Sequence, residues 1–300
     1  MELKGLHLLL TYLCTFECEH CFVWGSPWQS GTMTLDDIER ILDQAEELGT
    51  VRLIYFEGGE PFMFYAVMLA GIRIANERGF ETGIVTNSYW ANSERDAMEW
   101  LRPFQGLIRD ISISSDLFHA DEVMSAQARH AQAAAEKLGI STGVISIAQP
   151  EDADAAYATG QLPRGESQVM CRGRAASTLA DRLGSSSWDT FTECPFENLR
   201  DPGRVHVDPI GHLHICQGIS LGSMFSTPLK EICANYDPEA NAITGPLLSG
   251  GPAELVRRYE LYLRERYVDA CHLCYLARQA LRQRFPYILA PDQMYGVLKE

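Results

Sequence analysis

Long apolar runs, basic clusters and nucleotide-binding glycine loops are missing from this 300-residue sequence. The run Leu8 to Leu10 is far too short to cross a bilayer, which takes about 20 apolar residues. The N-terminus lacks the basic segment, apolar core and cleavage site of a secretory signal in that order. A cytoplasmic protein with no membrane partner is therefore expected. Lys and Arg total 25 against 40 Asp and Glu, a net charge of −15. That excludes nucleic acid as the main partner, because phosphate binding needs clustered cations. No G-x-G-x-x-G follows a strand, no Walker-type loop occurs, and the eight histidines show no H-E-x-x-H spacing. No repeat is visible beyond a strand–helix rhythm.

What is present is an ordinary globular composition, 46% hydrophobic and 22% charged. The length suits about two domains. Nine cysteines stand out. In a reducing compartment they read as metal ligands rather than disulfides. Three lie in Cys14-Thr15-Phe16-Glu17-Cys18-Glu19-His20-Cys21, a C-x3-C-x2-C phrase directly after the apolar run from Gly5 to Leu13. Three thiolates in one loop can hold three irons of a [4Fe–4S] cluster. The fourth iron is then left open, as catalytic metal sites leave a position free. The alternative is a structural zinc site completed by His20 or a distant cysteine. Zinc favours C-x2-C pairs, and the x3 spacing fits it poorly.

Gly49, Gly79, Gly106 and Gly139 each precede an apolar, β-branched run: Val51–Phe56, Phe80–Thr86, Leu107–Ser114 and Ile140–Ala148. Glycine past a helix and then a strand is the expected join, and the spacing of about thirty residues is that of one βα unit. Thr34 reads as an N-cap with Asp37 three residues on. Leu35, Ile38, Ile41, Leu42, Ala45 and Leu48 then form one apolar stripe. Further helices are expected over 61–78, 92–100 and 121–138. With Leu6–Leu13 as first strand and Gln168–Arg174 as sixth, about six βα units result. Continuous apolar strands suit a parallel sheet covered by helices. In such folds chemistry lies at the carboxyl ends of the strands.

The C-x3-C-x2-C loop at the end of a first strand resembles the signature of the radical S-adenosylmethionine (radical SAM) superfamily. His20 stands where the family has an aromatic residue just before the third cysteine, the residue of the usual adenine contact, and this departure bears on that contact and not on the cluster. Glu57-Gly58-Gly59-Glu60-Pro61 resembles the family's GGEP motif, whose backbone and Glu bind the SAM amino group; two glycines also allow close approach of the backbone to a ligand. Thr86-Asn87 ends the third strand where relatives line the SAM pocket. Ser114-Ser115-Asp116 resembles the Ser-x-Asp phrase, with Ser114 toward SAM. Arg129 or Arg174 could clamp its carboxylate.

Gly184-Ser185-Ser186-Ser187 is the most linker-like stretch. The boundary is set there: residues 1–185 as an α/β partial (βα)6 radical SAM barrel, residues 186–300 as a small α+β domain. Arg204–Val207 and His212–Cys216 read as a hairpin around Asp208-Pro209-Ile210-Gly211, and Cys271-His272-Leu273-Cys274 leads into a helix. Cys194, Cys216, Cys271 and Cys274 resemble the ligands of a twitch-type domain, a shortened SPASM relative holding one auxiliary [4Fe–4S] cluster; zinc is the alternative for these four. Cys171, on or after the sixth strand, is either a catalytic thiol or a buried apolar residue. Cys233 reads as core.

The resemblance implies two [4Fe–4S] clusters and SAM, with a flavodoxin- or ferredoxin-like electron donor. It implies reductive cleavage of SAM to a 5′-deoxyadenosyl radical that abstracts a substrate hydrogen. Oxidation of a small molecule, with the auxiliary cluster as electron acceptor, is the expected reaction. Epimerisation or cross-linking of a ribosomally made peptide is the alternative, disfavoured because the first strand begins at about Gly5 and leaves no room for a leader-binding domain ahead of it. A non-catalytic zinc scaffold is the alternative from another class.

Overall fold

The computed structural model describes residues 1–152, 165–261 and 264–297. Its centre is one nine-stranded sheet. Five strands come from the first half in chain order: β1 (Gly5–Thr11), β2 (Leu53–Gly58), β3 (Glu81–Thr86), β4 (Ile108–Ser114) and β5 (Ser141–Ile147). They pair in parallel, each with the next. Between them lie α1 (Leu35–Leu48), α2 (Tyr65–Glu77), α3 (Glu94–Leu101) and α4 (Ala126–Lys137). The expected βα rhythm is therefore present, with strand limits moved by one or two residues.

Local chemistry explains these limits. The Thr34 hydroxyl accepts from the Asp37 N–H while the Asp37 carboxylate accepts from the Thr34 N–H, a reciprocal capping box worth about 1 kcal/mol. Ile38, Ile41, Leu42 and Ala45 then bury against the sheet. The stretch 121–138 becomes helical only from Ala126, because Ser125 caps it by accepting from the Ala128 N–H.

The sixth strand departs from expectation. β6 is only Glu166–Ser167, paired in parallel with β5. Gln168–Arg174 is not a strand: the Cys171 N–H donates to the Asp269 carboxylate and the Arg174 N–H to the Cys21 carbonyl. Those partners belong to loops, so the backbone is satisfied without a sheet ladder. A short helix, α5 (Ala175–Thr178), follows. Gly184–Ser187 is not free chain either, since β7 (Ser186–Ser187) pairs with β11 (Arg266–Tyr267).

The second half extends the same sheet from its other edge. β8 (Arg204–Val207) lies parallel to β1, and β9 (His212–Cys216) and β10 (Ile219–Ser223) continue it antiparallel. The expected hairpin at Asp208–Gly211 is β8 to β9. α6 (Leu229–Asn235) buries Cys233 in the core shared with α1 and the central strands. α7 (Thr244–Tyr259) and α8 (Ala270–Leu281) form a second core with β9, β10 and the aromatic C-terminal turn. α8 begins earlier than expected: Asp269 caps it, so Cys271 and Cys274 sit in its first turns. Among the described residues no helix is long and apolar enough to cross a membrane.

Candidate functional site

A cavity of about 530 Å³ opens at the carboxyl ends of β1 to β5 and runs down the inner face of the sheet. Cys14, Cys18 and Cys21 form part of its upper wall, with His20, Gly58, Gly59, Thr86, Asn87 and Ser114 around them. These sequence-expected residues are thus brought together. Glu60, Pro61, Arg129 and Cys171 are not among the lining residues.

The three-cysteine loop is held from several sides. The Phe16 N–H and the Asn87 side-chain amide each donate to Cys14 Sγ at 3.5 Å, and the Gly25 N–H donates to Cys21 Sγ at 3.2 Å. Asn87 also donates to the Thr15 hydroxyl at 3.1 Å. Donors aimed at sulfur favour the thiolate that a metal needs. Burial works the other way: it pushes the Cys14 thiol up to about 12 and raises Cys18 as well. The three sulfurs do not gather within 4.8 Å of one another, although closer histidine–carboxylate groups do among the described residues. Ligands of one zinc ion, at about 2.3 Å from it, would lie roughly 4 Å apart. The donor set fits a cluster of several irons better than one ion.

The Gly58-Gly59-Glu60-Pro61 phrase packs on this loop, and here expectation and structure differ. The Gly59 N–H donates to Thr11 O at 2.6 Å and the Glu60 N–H to Leu13 O at 2.9 Å. A Cβ on Gly59 would stand 2.1 Å from Leu13 O. The glycines therefore first allow the chain to approach its own β1 end. The Glu60 carboxylate turns inward and is 0% exposed. It accepts from the Phe62 N–H, the Thr86 hydroxyl and the Asn87 N–H, at 3.0, 2.9 and 2.8 Å. It splices the ends of β2 and β3 instead of facing the cavity, and burial raises it to about 7. Pro61 is buried at the start of the next helical turn.

The arginines also fall differently. Arg129 is on the outer face of α4, paired with Glu122. Arg174 is buried and donates to Cys18 O at 2.7 Å and Gly25 O at 2.8 Å, so it clamps the cysteine loop from behind. Cys171 is fully buried outside the cavity, and its neighbours Met170 and Arg172 line the wall instead. The buried-cysteine reading fits it, because burial raises its thiol far from reactivity.

His20 faces the cavity and its Nε2 lies 3.2 Å from Asp116 Oδ2. Asp116 is buried; His119 Nδ1 is 2.7 Å from its other oxygen, and the Phe118 and Ile147 N–H groups donate to it. Burial would raise this carboxyl, yet His119 and His20 hold it well below the usual range.

The second cysteine set is also assembled. Cys194 precedes β8, Cys216 ends β9, and Cys271 and Cys274 lie in α8. Burial raises the thiols of Cys194, Cys271 and Cys274, and the nearness of Cys216 raises each of them further. No three of these sulfurs lie within 4.8 Å either. Arg172 stands between this set and the cavity. Its Nη1 is 3.6 Å from Cys216 Sγ and 3.1 Å from Glu197 Oε1.

Sequence reasoning missed Arg172, Glu197 and Gln217, and also His7, Glu57 and His206 on the cavity's inner wall. For His7, Glu57 and His206 the signal was a polar residue on an otherwise apolar strand; Arg172, Glu197 and Gln217 lie in loops and turns and carried none.

Comparison with known proteins fits this geometry. Residues 8–138 match the family model described as the radical SAM superfamily. That stretch, less than half of the chain, carries the three-cysteine loop, the later part of β1 and strands β2 to β4. The chain is 37% identical over 86 residues, 28% of its length, to the tungsten-containing aldehyde ferredoxin oxidoreductase cofactor-modifying protein of Pyrococcus furiosus, and spans 24% of that protein. It is 24% identical over 128 residues, 42% of its length, to YydG of Bacillus subtilis, which carries a provisional name in peptide biosynthesis, and spans 40% of it. The chain thus spans less than half of either relative. Among solved structures, BtrN in complex with AdoMet and 2-DOIA is similar at 13% identity and a TM-score of 0.48, covering 78% of this chain and 83% of that one.

Proposed function

We propose that this chain is a radical SAM enzyme that oxidises a small organic substrate in the cavity and passes the second electron to an auxiliary [4Fe–4S] cluster on Cys194, Cys216, Cys271 and Cys274. Cys14, Cys18 and Cys21 would hold the cluster that binds SAM, with Gly58, Gly59, Thr86, Asn87, Ser114 and His20 around the cofactor. When bound, that pair supplies an electron and a 5′-deoxyadenosyl radical able to take a hydrogen atom. The residues of the chain bind, orient and exclude water, and the cofactors carry the chemistry. The apolar side chains Val85, Ile145, Ile147, Val169 and Phe196 supply part of the chamber wall against which a substrate can pack. On this reading residues 1–185 carry the SAM site and residues 186–300 the auxiliary site. A flavodoxin- or ferredoxin-like protein delivers the first electron.

One observation carries the proposal: a single chamber has the three-cysteine loop on one wall and Arg172, which touches Cys216, on another. Its volume is in the range that holds a small ligand, about 300–1,000 Å³. The partial likeness to YydG supports a second reading, in which one side chain of a peptide enters the same chamber.

The test is anaerobic, reduced protein incubated with SAM. 5′-Deoxyadenosine should form, and the triple change Cys14→Ala, Cys18→Ala and Cys21→Ala should abolish it. Continued SAM cleavage by that variant would sink the assignment.

A further inference from the structure

Three side chains on the inner wall of the cavity are gathered by the sheet and have no part in the SAM site. His7 comes from β1, Glu57 from β2 and His206 from β8. In the register His7 stands directly opposite His206 across the β1–β8 pairing. His7 Nδ1 and His206 Nε2 both face Glu57 Oε1, at 2.8 and 3.1 Å. The three ligand atoms lie within 4.8 Å of one another, and all three residues line the cavity. We propose that His7, Glu57 and His206 form a two-histidine, one-carboxylate site for a divalent transition-metal ion, with its open positions toward the substrate.

The geometry suits such an ion. Ligands about 2.1 Å from a metal and at right angles about it are roughly 3 Å apart, which matches the 2.8 and 3.1 Å from Glu57 Oε1 to the two ring nitrogens. Two imidazoles and a carboxylate on one face are the donor set of open non-haem iron sites. A second observation points the same way. Gln217 is 4% exposed and lines the cavity beside His206, yet its Oε1 has no hydrogen-bond partner. Its Nε2 is 3.4 Å from His206 Nδ1. The two ends of an amide are interchangeable in such an assignment. Turned over, Gln217 Oε1 accepts from an Nδ1–H of His206, which leaves Nε2 as a bare lone pair directed at Glu57. That is the outer-shell arrangement that orients a metal-bound histidine.

An ion with one carboxylate ligand beside it is best completed by an anionic oxygen. The substrate class implied is one bearing a carboxylate, or a hydroxyl that can ionise on the metal. The metal site uses none of the nine cysteines, so its failure and the failure of the SAM assignment are separable.

The test uses anaerobic protein with its clusters intact, dialysed against Co(II) or Zn(II). Bound metal is counted beside iron, and cobalt-edge X-ray absorption reads the ligands. One equivalent with nitrogen and oxygen ligands is expected. Glu57→Gln and His206→Gln should weaken binding at least ~100-fold, and Gln217→Leu by about 10–100-fold, with iron content unchanged as the check on folding. Sulfur ligation, no retained equivalent, or undiminished binding by Glu57→Gln and His206→Gln would each overturn the proposal.

Discussion

Replacing Gly59 with Ala separates two explanations of the glycine pair. If the glycines serve only approach to a bound cofactor, the folded chain should tolerate a methyl group. The structure says otherwise. The new Cβ would stand 2.1 Å from Leu13 O, 2.5 Å from Leu13 C and 2.9 Å from Tyr12 C. These are backbone atoms of the cysteine loop and cannot rotate away. They fall roughly 0.6–1.4 Å short of a normal contact of about 3.5 Å. Relief means parting β2 from the end of β1, at the expense of the bonds from Gly59 N–H to Thr11 O and Glu60 N–H to Leu13 O. Two hydrogen bonds at about 1 kcal/mol each and overpacking of about 1–3 kcal/mol give a loss of about 3–5 kcal/mol. Gly25 is the matched control. It faces Gly59 from the other side, and its added Cβ would meet nothing closer than 3.5 Å. Anaerobic urea unfolding and iron content should therefore fall sharply for Gly59→Ala and hardly change for Gly25→Ala. Equal stability of the two variants would refute the packing argument.

Two further outcomes follow. Replacing Cys271 and Cys274 together with Ala should remove roughly half of the iron, since each [4Fe–4S] site carries four; unchanged iron would exclude the auxiliary cluster. Asp208 accepts from the Tyr12 hydroxyl, the Ile210 and His212 N–H groups and His214 Nε2, so all of its acceptor positions are used. Burial would raise this carboxyl, but His214 and its neighbours hold it below the usual range. A depressed folded value contributes stability that is present above the ordinary carboxylate range and is lost as pH falls through that value. Asp208→Asn should cost about 3 kcal/mol at pH 7 and remove that part of the acid sensitivity. A variant whose unfolding midpoint falls as steeply in acid as the parent's would count against the pairing.

The parts of the site that lie close together in sequence were legible. The Cys14–Cys21 phrase, the turn after β2, the capped start of α1 and the β8–β9 hairpin each carry their signal within about ten residues. What was not legible depends on pairings between distant segments. His7 meets His206 only because β8 lies against β1, with some two hundred residues between them, and no local periodicity specifies that neighbour. Glu60 looked like a ligand-facing acid; its inward turn is set by Thr86 and the Asn87 N–H on the next strand. Arg174 and Arg129 are equivalent as letters. One is buried behind the cysteine loop and the other pairs on an exposed helix face. The sixth strand was overextended because an apolar stretch can satisfy its backbone through a carboxylate such as Asp269 as well as through a ladder.

The charge around the second cysteine set bears on what that set holds. Arg278 is 1% exposed, and its guanidinium donates to the Gln217 carbonyl at 2.7 Å and approaches the Tyr295 hydroxyl, while its Nε has no partner. No carboxylate pairs with it among the described ion pairs. Burial works against its charge, and the anionic neighbours that would uphold it are Tyr295, Cys274 and Cys216. A buried cation without an anion is costly. Tyrosine is neutral near pH 7, and burial raises Tyr295 further. On the proposed auxiliary-cluster reading, the counter-charge comes from cysteine thiolates held on the metal, and the Tyr275 and Tyr295 rings add cation–π contact. Burial alone raises the thiols of Cys194 and Cys274. Arg172, whose partners are Glu197 and Cys216, places a second cation on the cavity side of the same set. Arg278, which is buried, and Arg172, half-buried beside Glu197, flank the four sulfurs, a placement that supports the proposed anionic metal–thiolate centre.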